Sequence, residues 1–146
     1  MQQKNRLLSL GGYTNILIAI AHLVGLLWAN KMFEVTGIGK EMERLAQKHF
    51  SLPYLVTIFV AIVFFIFGLY GLSAANKFRK LPFLKPAIFA IAAIYLFRGA
   101  GELIYDIKQQ EASQFLEILY SLIALFIGLL FLIGGFRKWN IGTSKK

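Results

Sequence analysis

The chain has 146 residues, 58% hydrophobic and only 16% charged, with 14 phenylalanines and a formal net charge of +9. A water-soluble fold of this length needs more polar residues to cover its outside, so the composition points to a membrane protein of at most one domain. The absence of cysteine excludes disulfides, thiolate catalysis, iron–sulfur clusters and cysteine-bound zinc, and two histidines leave little for a histidine-rich metal centre.

The first apolar span runs from about Gly12 to Asn30, behind Lys4 and Arg6. Its basic start and Ala19-Ile20-Ala21 imitate a cleavable signal peptide, but the apolar run continues through Leu23–Ala29, so a membrane helix is expected. Asn15, His22 and Ala29 recur at heptad spacing and put a polar strip on one side of it. Ala21, Gly25 and Ala29 form a small-residue ridge suited to close packing. The connection from Lys31 to Ser51 is the longest. Within GKEMERLAQKHF, residues Met42, Leu45, Ala46 and Phe50 share a helical face, which predicts a short amphipathic helix at the outer membrane surface.

The second span, Leu52 to Ala75, carries no charge; Ser51 is placed to cap it and Pro53 suits its first turn. Thr57, Ala61, Phe64, Gly68 and Ala75 form one face rich in small residues. The third span starts at Pro86 and reaches about Tyr105, and the fourth runs from about Phe115 to Phe136 with Glu117, Tyr120, Ser121, Ala124, Gly128 and Gly135 on one face. Each can cross a hydrocarbon core of about 30 Å, and backbone groups in lipid must pair internally, so the spans are helices. The expected fold is all-α: a four-transmembrane-helix bundle with a short interfacial helix between the first two spans.

Charge is distributed unevenly. Glu34, Glu41, Glu43, Glu102, Asp106, Glu111 and Glu117 fall in or beside the first and third connections. Lys77, Arg79, Lys80 and Lys85 fill the second connection, and Arg137, Lys138, Lys145 and Lys146 follow the fourth span. Basic residues concentrate on the cytoplasmic side of membrane proteins, so both termini are expected there. Basic patches beside anionic headgroups account for the net charge better than nucleic acid does, and no nucleic-acid partner is expected.

The third span contains YLFRGAGELIYD, in which Arg98, Glu102 and Asp106 are four residues apart and form one stripe flanked by Tyr95 and Tyr105. An arginine near a membrane helix centre costs roughly 2.5–3.5 kcal/mol on insertion scales, so Arg98 is expected to face the bundle and to pair with Glu102 or, because arginine before glutamate is the weaker order within a helix, with a polar group on the first or fourth helix. Counting along the first helix places His22 near the same depth. The expected site is a polar core in the outer half of the membrane. Its ligand-binding candidates are Arg98, Glu102, His22, Thr57, Tyr95, Glu117 and Tyr120. A purely structural alternative makes Arg98–Glu102 a staple between helices, His22 a satisfied core histidine and the tyrosines an interfacial belt. No catalytic motif is present. A metal on His22 with Glu102 or Glu117 is chemically feasible, yet nothing in the spacing singles it out; no metal or cofactor is expected.

The layout resembles the DoxX-like group of small four-helix bacterial membrane proteins. Shared features are four spans over nearly the whole chain, a long first connection with an amphipathic segment, and glycine-rich ends such as FGLYGLSAAN (Phe67–Asn76). The resemblance implies a bundle in the bacterial cytoplasmic (inner) membrane and an accessory role beside redox enzymes or other membrane machinery. It transfers no catalytic residue. Three functions follow in order of expectation. The first is a binding or accessory protein holding a lipid-like or quinone-like molecule or a partner subunit. The second is an intramembrane enzyme acting on a lipid or isoprenoid, with Glu102 and His22 as acid–base pair and Arg98 stabilising negative charge. The third is a small transporter, which would require a homo-oligomer.

Overall fold

The computed structural model of the protein describes residues 5–109 and 114–139, and among them every regular element is a helix. Helix α1 (Arg6–Gly25) begins well before Gly12, because Asn5 caps it: Asn5 Oδ1 accepts from the Leu8 N–H at 3.3 Å. Leu26–Trp28 tighten into a 3-10 turn, and α2 (Ala29–Val35) carries the chain to the end of its first span. Gly37 then takes a positive φ of 76°, and its N–H and that of Ile38 bond back to the carbonyls of Glu34 and Phe33. This arrangement satisfies the last carbonyls of α2 and needs the left-handed backbone that glycine tolerates.

Helix α3 (Gly39–Lys48) is the expected amphipathic segment, packed beside the start of α4 (Leu52–Ala74). Met42 and Leu45 are half-buried, whereas Ala46 and Phe50 are exposed; Phe50 lies past the helix end and so leaves the shared face. Ser51 occupies the cap position of α4 without capping it, since its hydroxyl is engaged with His49 Nδ1 at 2.7 Å. Pro53 sits in the first turn, as its missing N–H allows.

The far end of α4 is closed by Asn76, at φ 59°, with the Lys77 N–H donating to the Leu72 carbonyl at 2.8 Å. The connection then folds around the Ser73 hydroxyl, which donates to the Arg79 carbonyl at 2.8 Å and accepts from the Leu81 N–H at 3.0 Å. Ser73→Ala is expected to cost about 1–2 kcal/mol, because two backbone groups lose their partner. Thermal unfolding in detergent and faster amide exchange at Leu81 would register it; an unchanged midpoint would contradict it. Helices α5 (Leu84–Gln109) and α6 (Gln114–Trp139) complete the chain, with Pro86 in the first turn of α5.

Packing is pairwise. Helix α1 lies so close to α4 that a Cβ at Gly12 would stand 2.8 Å from Leu72 N, and one at Gly68 2.9 Å from the Gly12 carbonyl oxygen. In the same way a Cβ at Gly99 of α5 would stand 2.9 Å from Leu125 N of α6. Small residues create these close approaches, as is usual between membrane helices. The ridge is not Ala21, Gly25 and Ala29, however: Ala21 is exposed, and Gly12 makes the contact with α4 nearer the other end of α1.

The helices follow chain order around the bundle, and α6 closes back on α1. The two pairs meet mainly at the end that carries the N-terminus of α1, the C-terminus of α6 and the α4–α5 connection, termed here the terminal end. There Asn5 Nδ2 donates to the Gly134 carbonyl, Phe131 covers Gly11, and Lys138 Nζ reaches Asn76 Oδ1 at 3.3 Å. The core of Leu8, Ala74, Ile88, Ile91, Ile127 and Phe131 belongs to this half.

Four stretches are long and apolar enough to cross a membrane: Arg6–Val35, Leu52–Ala74, Leu84–Tyr105 and Ile118–Trp139. The protein is a four-helix membrane bundle with a short amphipathic helix at the end opposite the termini.

Candidate functional site

Asn15 is fully buried, and a buried amide must find partners. Its Nδ2 donates to the Gly11 carbonyl at 2.8 Å, and its Oδ1 accepts from the Tyr95 hydroxyl at 2.6 Å. This bond joins α1 to α5, which stand diagonally across the bundle and run in the same direction.

Two seams lead through this bond at helical spacing. On α1 the seam is Leu8, Gly11, Asn15, Ile18 and His22; on α5 it is Ile88, Ile91, Tyr95, Arg98 and Glu102. Towards the terminal end the seam residues are buried. Beyond Asn15–Tyr95 they open: Ile18 and His22 are half-buried, and the side chains of Arg98 and Glu102 are 56% and 44% accessible. The contacts between pairs described above lie at or below the Asn15–Tyr95 level, and the accessible stretch of the two seams beyond it is termed here the cleft.

Arg98 Nε donates to Glu102 Oε1 at 3.0 Å, the pair that the four-residue spacing predicts. The pair also continues the inward seam of α5. It is not enclosed, since about half of each side chain is accessible. His22 lies seven residues beyond Asn15 and Glu102 seven beyond Tyr95, so at about 1.5 Å per residue both stand about 10 Å above the bond.

The His22 ring donates from Nδ1 to the Ile18 carbonyl at 2.8 Å, which fixes the proton on that nitrogen and makes Nε2 of the neutral ring an acceptor. The same ring lies 5.2 Å from Phe64, which in turn stacks on Tyr95 at 6.3 Å. Phe64 of α4 therefore forms an aromatic wall between the histidine and the tyrosine. At this level α5 carries a cation and a carboxylate, and α1 carries an imidazole acceptor beside the Phe64 ring.

The remaining predicted residues divide. Tyr95 forms the floor, its hydroxyl already held by Asn15. Thr57 is buried on α4 and donates to the Pro53 carbonyl at 2.8 Å, so its hydroxyl proton is taken within its own helix. Tyr120 is accessible on α6. Glu117 and Asp106 lie outside the residues whose side chains are described. Among the described residues no three of His, Asp or Glu converge to hold a metal. Asn15 is the residue the sequence undervalued: it reads as part of a polar strip, and only its depth, matching that of Tyr95 from the start of α5, hinted at a partner. No family model, curated protein or solved structure matches the chain.

Proposed function

We propose that the protein is a small integral membrane binding protein that holds an amphipathic, lipid-like molecule in the cleft above Asn15–Tyr95. One observation carries this reading: the inward seams of α1 and α5 change, at one level, from buried and apolar to accessible and ionisable. An arginine–glutamate pair at membrane depth is under-solvated when only hydrocarbon surrounds it. A polar headgroup would complete its hydrogen bonds, with an oxygen taken by Arg98 and a hydroxyl proton accepted by His22 Nε2. Phe64 and the apolar flanks of the cleft suit the attached chain. The distribution of basic residues supports cytoplasmic termini, which puts the cleft in the outer half of the membrane. The layout shared with DoxX-like proteins supports an accessory role beside other membrane machinery.

The test is to purify the protein in mild detergent and identify co-purifying amphiphiles by mass spectrometry. The Arg98→Leu, Glu102→Leu double variant keeps the charge balance. It is expected to retain thermal stability better than either single variant, which leaves one charge unpaired. It should also lose at least about tenfold of the bound amphiphile, the loss of one well-made polar anchor. Equal retention, or no enriched amphiphile in the native protein, would reject the reading. A protein cross-linked through position 98 in native membranes would transfer the cleft to a partner subunit.

A further inference from the structure

A second feature lies at the opposite end of the bundle. A hollow between the first turns of α1 and the end of α4 is lined by Asn5, Arg6, Ser9, Leu10, Tyr13, Ala75 and Lys77. Its two cations come from different elements, the first turn of α1 and the connection after α4. Arg6 opens α1, and Lys77 is held by the left-handed turn at Asn76 and by its own N–H on the Leu72 carbonyl at 2.8 Å. Asn5 is committed elsewhere, its amide on the Gly134 carbonyl and its Oδ1 on the Leu8 N–H.

Among the described residues this end of the molecule collects positive charge: Arg6, Lys77, Arg79, Lys80, Lys85, Arg137 and Lys138 lie here, whereas Glu34, Glu41, Glu43 and Glu102 lie in or beside the first connection at the other end or in the cleft region. The ion pairs seen among the described residues, Lys31–Glu34 and Arg98–Glu102, are also at that other end. Among the described residues no carboxylate pairs with Arg6 or Lys77, which leaves both free to engage an anion from outside the fold.

The position of the hollow selects the anion. It sits where the first membrane-crossing stretch begins, at the boundary between water and hydrocarbon. From it a lane of accessible apolar side chains, Leu10, Tyr13, Leu17, Ile20 and Val24, runs along α1 into the membrane at helical spacing. Charge at the boundary followed by an apolar lane matches a phosphate esterified to acyl chains. We infer that the Arg6–Lys77 hollow is a binding site for the headgroup phosphate of an anionic phospholipid, distinct from the cleft.

The experiment uses the full chain in neutral detergent, titrated with phosphatidylglycerol or with phosphatidylcholine of the same acyl chains and read by native mass spectrometry. Phosphatidylglycerol is expected to bind about tenfold more tightly, as two basic residues near the surface allow. Arg6→Gln with Lys77→Gln should bring that preference to within about twofold of none. Lys80→Gln with Lys85→Gln makes the same charge change at the same end outside the hollow, and should preserve it. If the first double variant is poorly folded by circular dichroism, each single variant should show a partial loss. No preference in the native protein, or equal losses in both double variants, would overturn the site. Displacement of the lipid by millimolar inorganic phosphate would overturn the lipid as its occupant. Loss of the cleft ligand in the Arg98 and Glu102 variants has no bearing on these outcomes.

Discussion

Gly71→Ala is expected to damage the bundle more than its single methyl group suggests. A Cβ at Gly71 would stand 2.8 Å from Gly12 Cα, 2.9 Å from Gly12 N and 3.1 Å from the Leu8 carbonyl oxygen. All three are backbone atoms of α1, so no flexible side chain can move aside. Relief requires the two helices to separate, and the contacts along α1 and α4 loosen together. Overpacking of this kind costs about 1–3 kcal/mol, and Gly71→Leu should exceed that range and leave little monodisperse protein. Gly101→Ala provides the contrast within α5: an added Cβ there meets nothing within 4 Å. It should leave the melting temperature unchanged or raise it, since alanine favours a helix by up to about 1 kcal/mol over glycine. Thermal unfolding of both variants in one detergent decides the matter. A native-like midpoint for Gly71→Ala would mean that α1 and α4 do not approach as closely as described.

The second large effect concerns the bond across the bundle. Tyr95→Phe removes the donor to Asn15 Oδ1 in a site where Asn15 is fully buried, and should cost about 1–3 kcal/mol. Asn15→Leu removes the acceptor instead and should be comparably harmful. The two losses are expected not to add. The double variant Asn15→Leu, Tyr95→Phe leaves no orphaned polar atom from the pair, and its destabilisation should fall short of the sum by about 1 kcal/mol. A double-mutant cycle measured by thermal or denaturant unfolding checks this; strict additivity would show that the hydroxyl and the amide are not coupled.

The sequence was informative where chemistry is local. Unbroken apolar stretches required helices, and the four-residue spacing of Arg98 and Glu102 allowed them to pair within one helix; both are present. The amphipathic pattern of residues 39–48 likewise emerged as α3. Expectations that depended on how helices sit together were less secure. Charge at Arg6 looked like the flank of a span, yet helices extend past the hydrocarbon boundary, and this placed Gly11 and Gly12 inside α1 rather than at its edge. The enclosure of Arg98 followed from the cost of burying charge, but an open cleft lowers that cost by leaving access from outside the bundle. Thr57 shows the same limit. Its hydroxyl looked available to a site, and its own helix already satisfies it.

The pairwise packing also bears on how the molecule is made. The two most extensive interfaces join helices that follow one another through the membrane, α1 with α4 and α5 with α6, and both are lined by glycine. A chain synthesised from its N-terminus can therefore complete the first interface before α5 has entered the bilayer, because loop closure costs grow only slowly with the length of the connection. Leu8 and Gly11, among the earliest residues inserted, gain their contacts with Gly134 and Phe131 only when the last helix arrives. Until then the Asn15 amide has no tyrosine to meet. Docking of the second hairpin is thus the step that converts two inserted hairpins into one bundle, and the Asn15–Tyr95 bond forms with it.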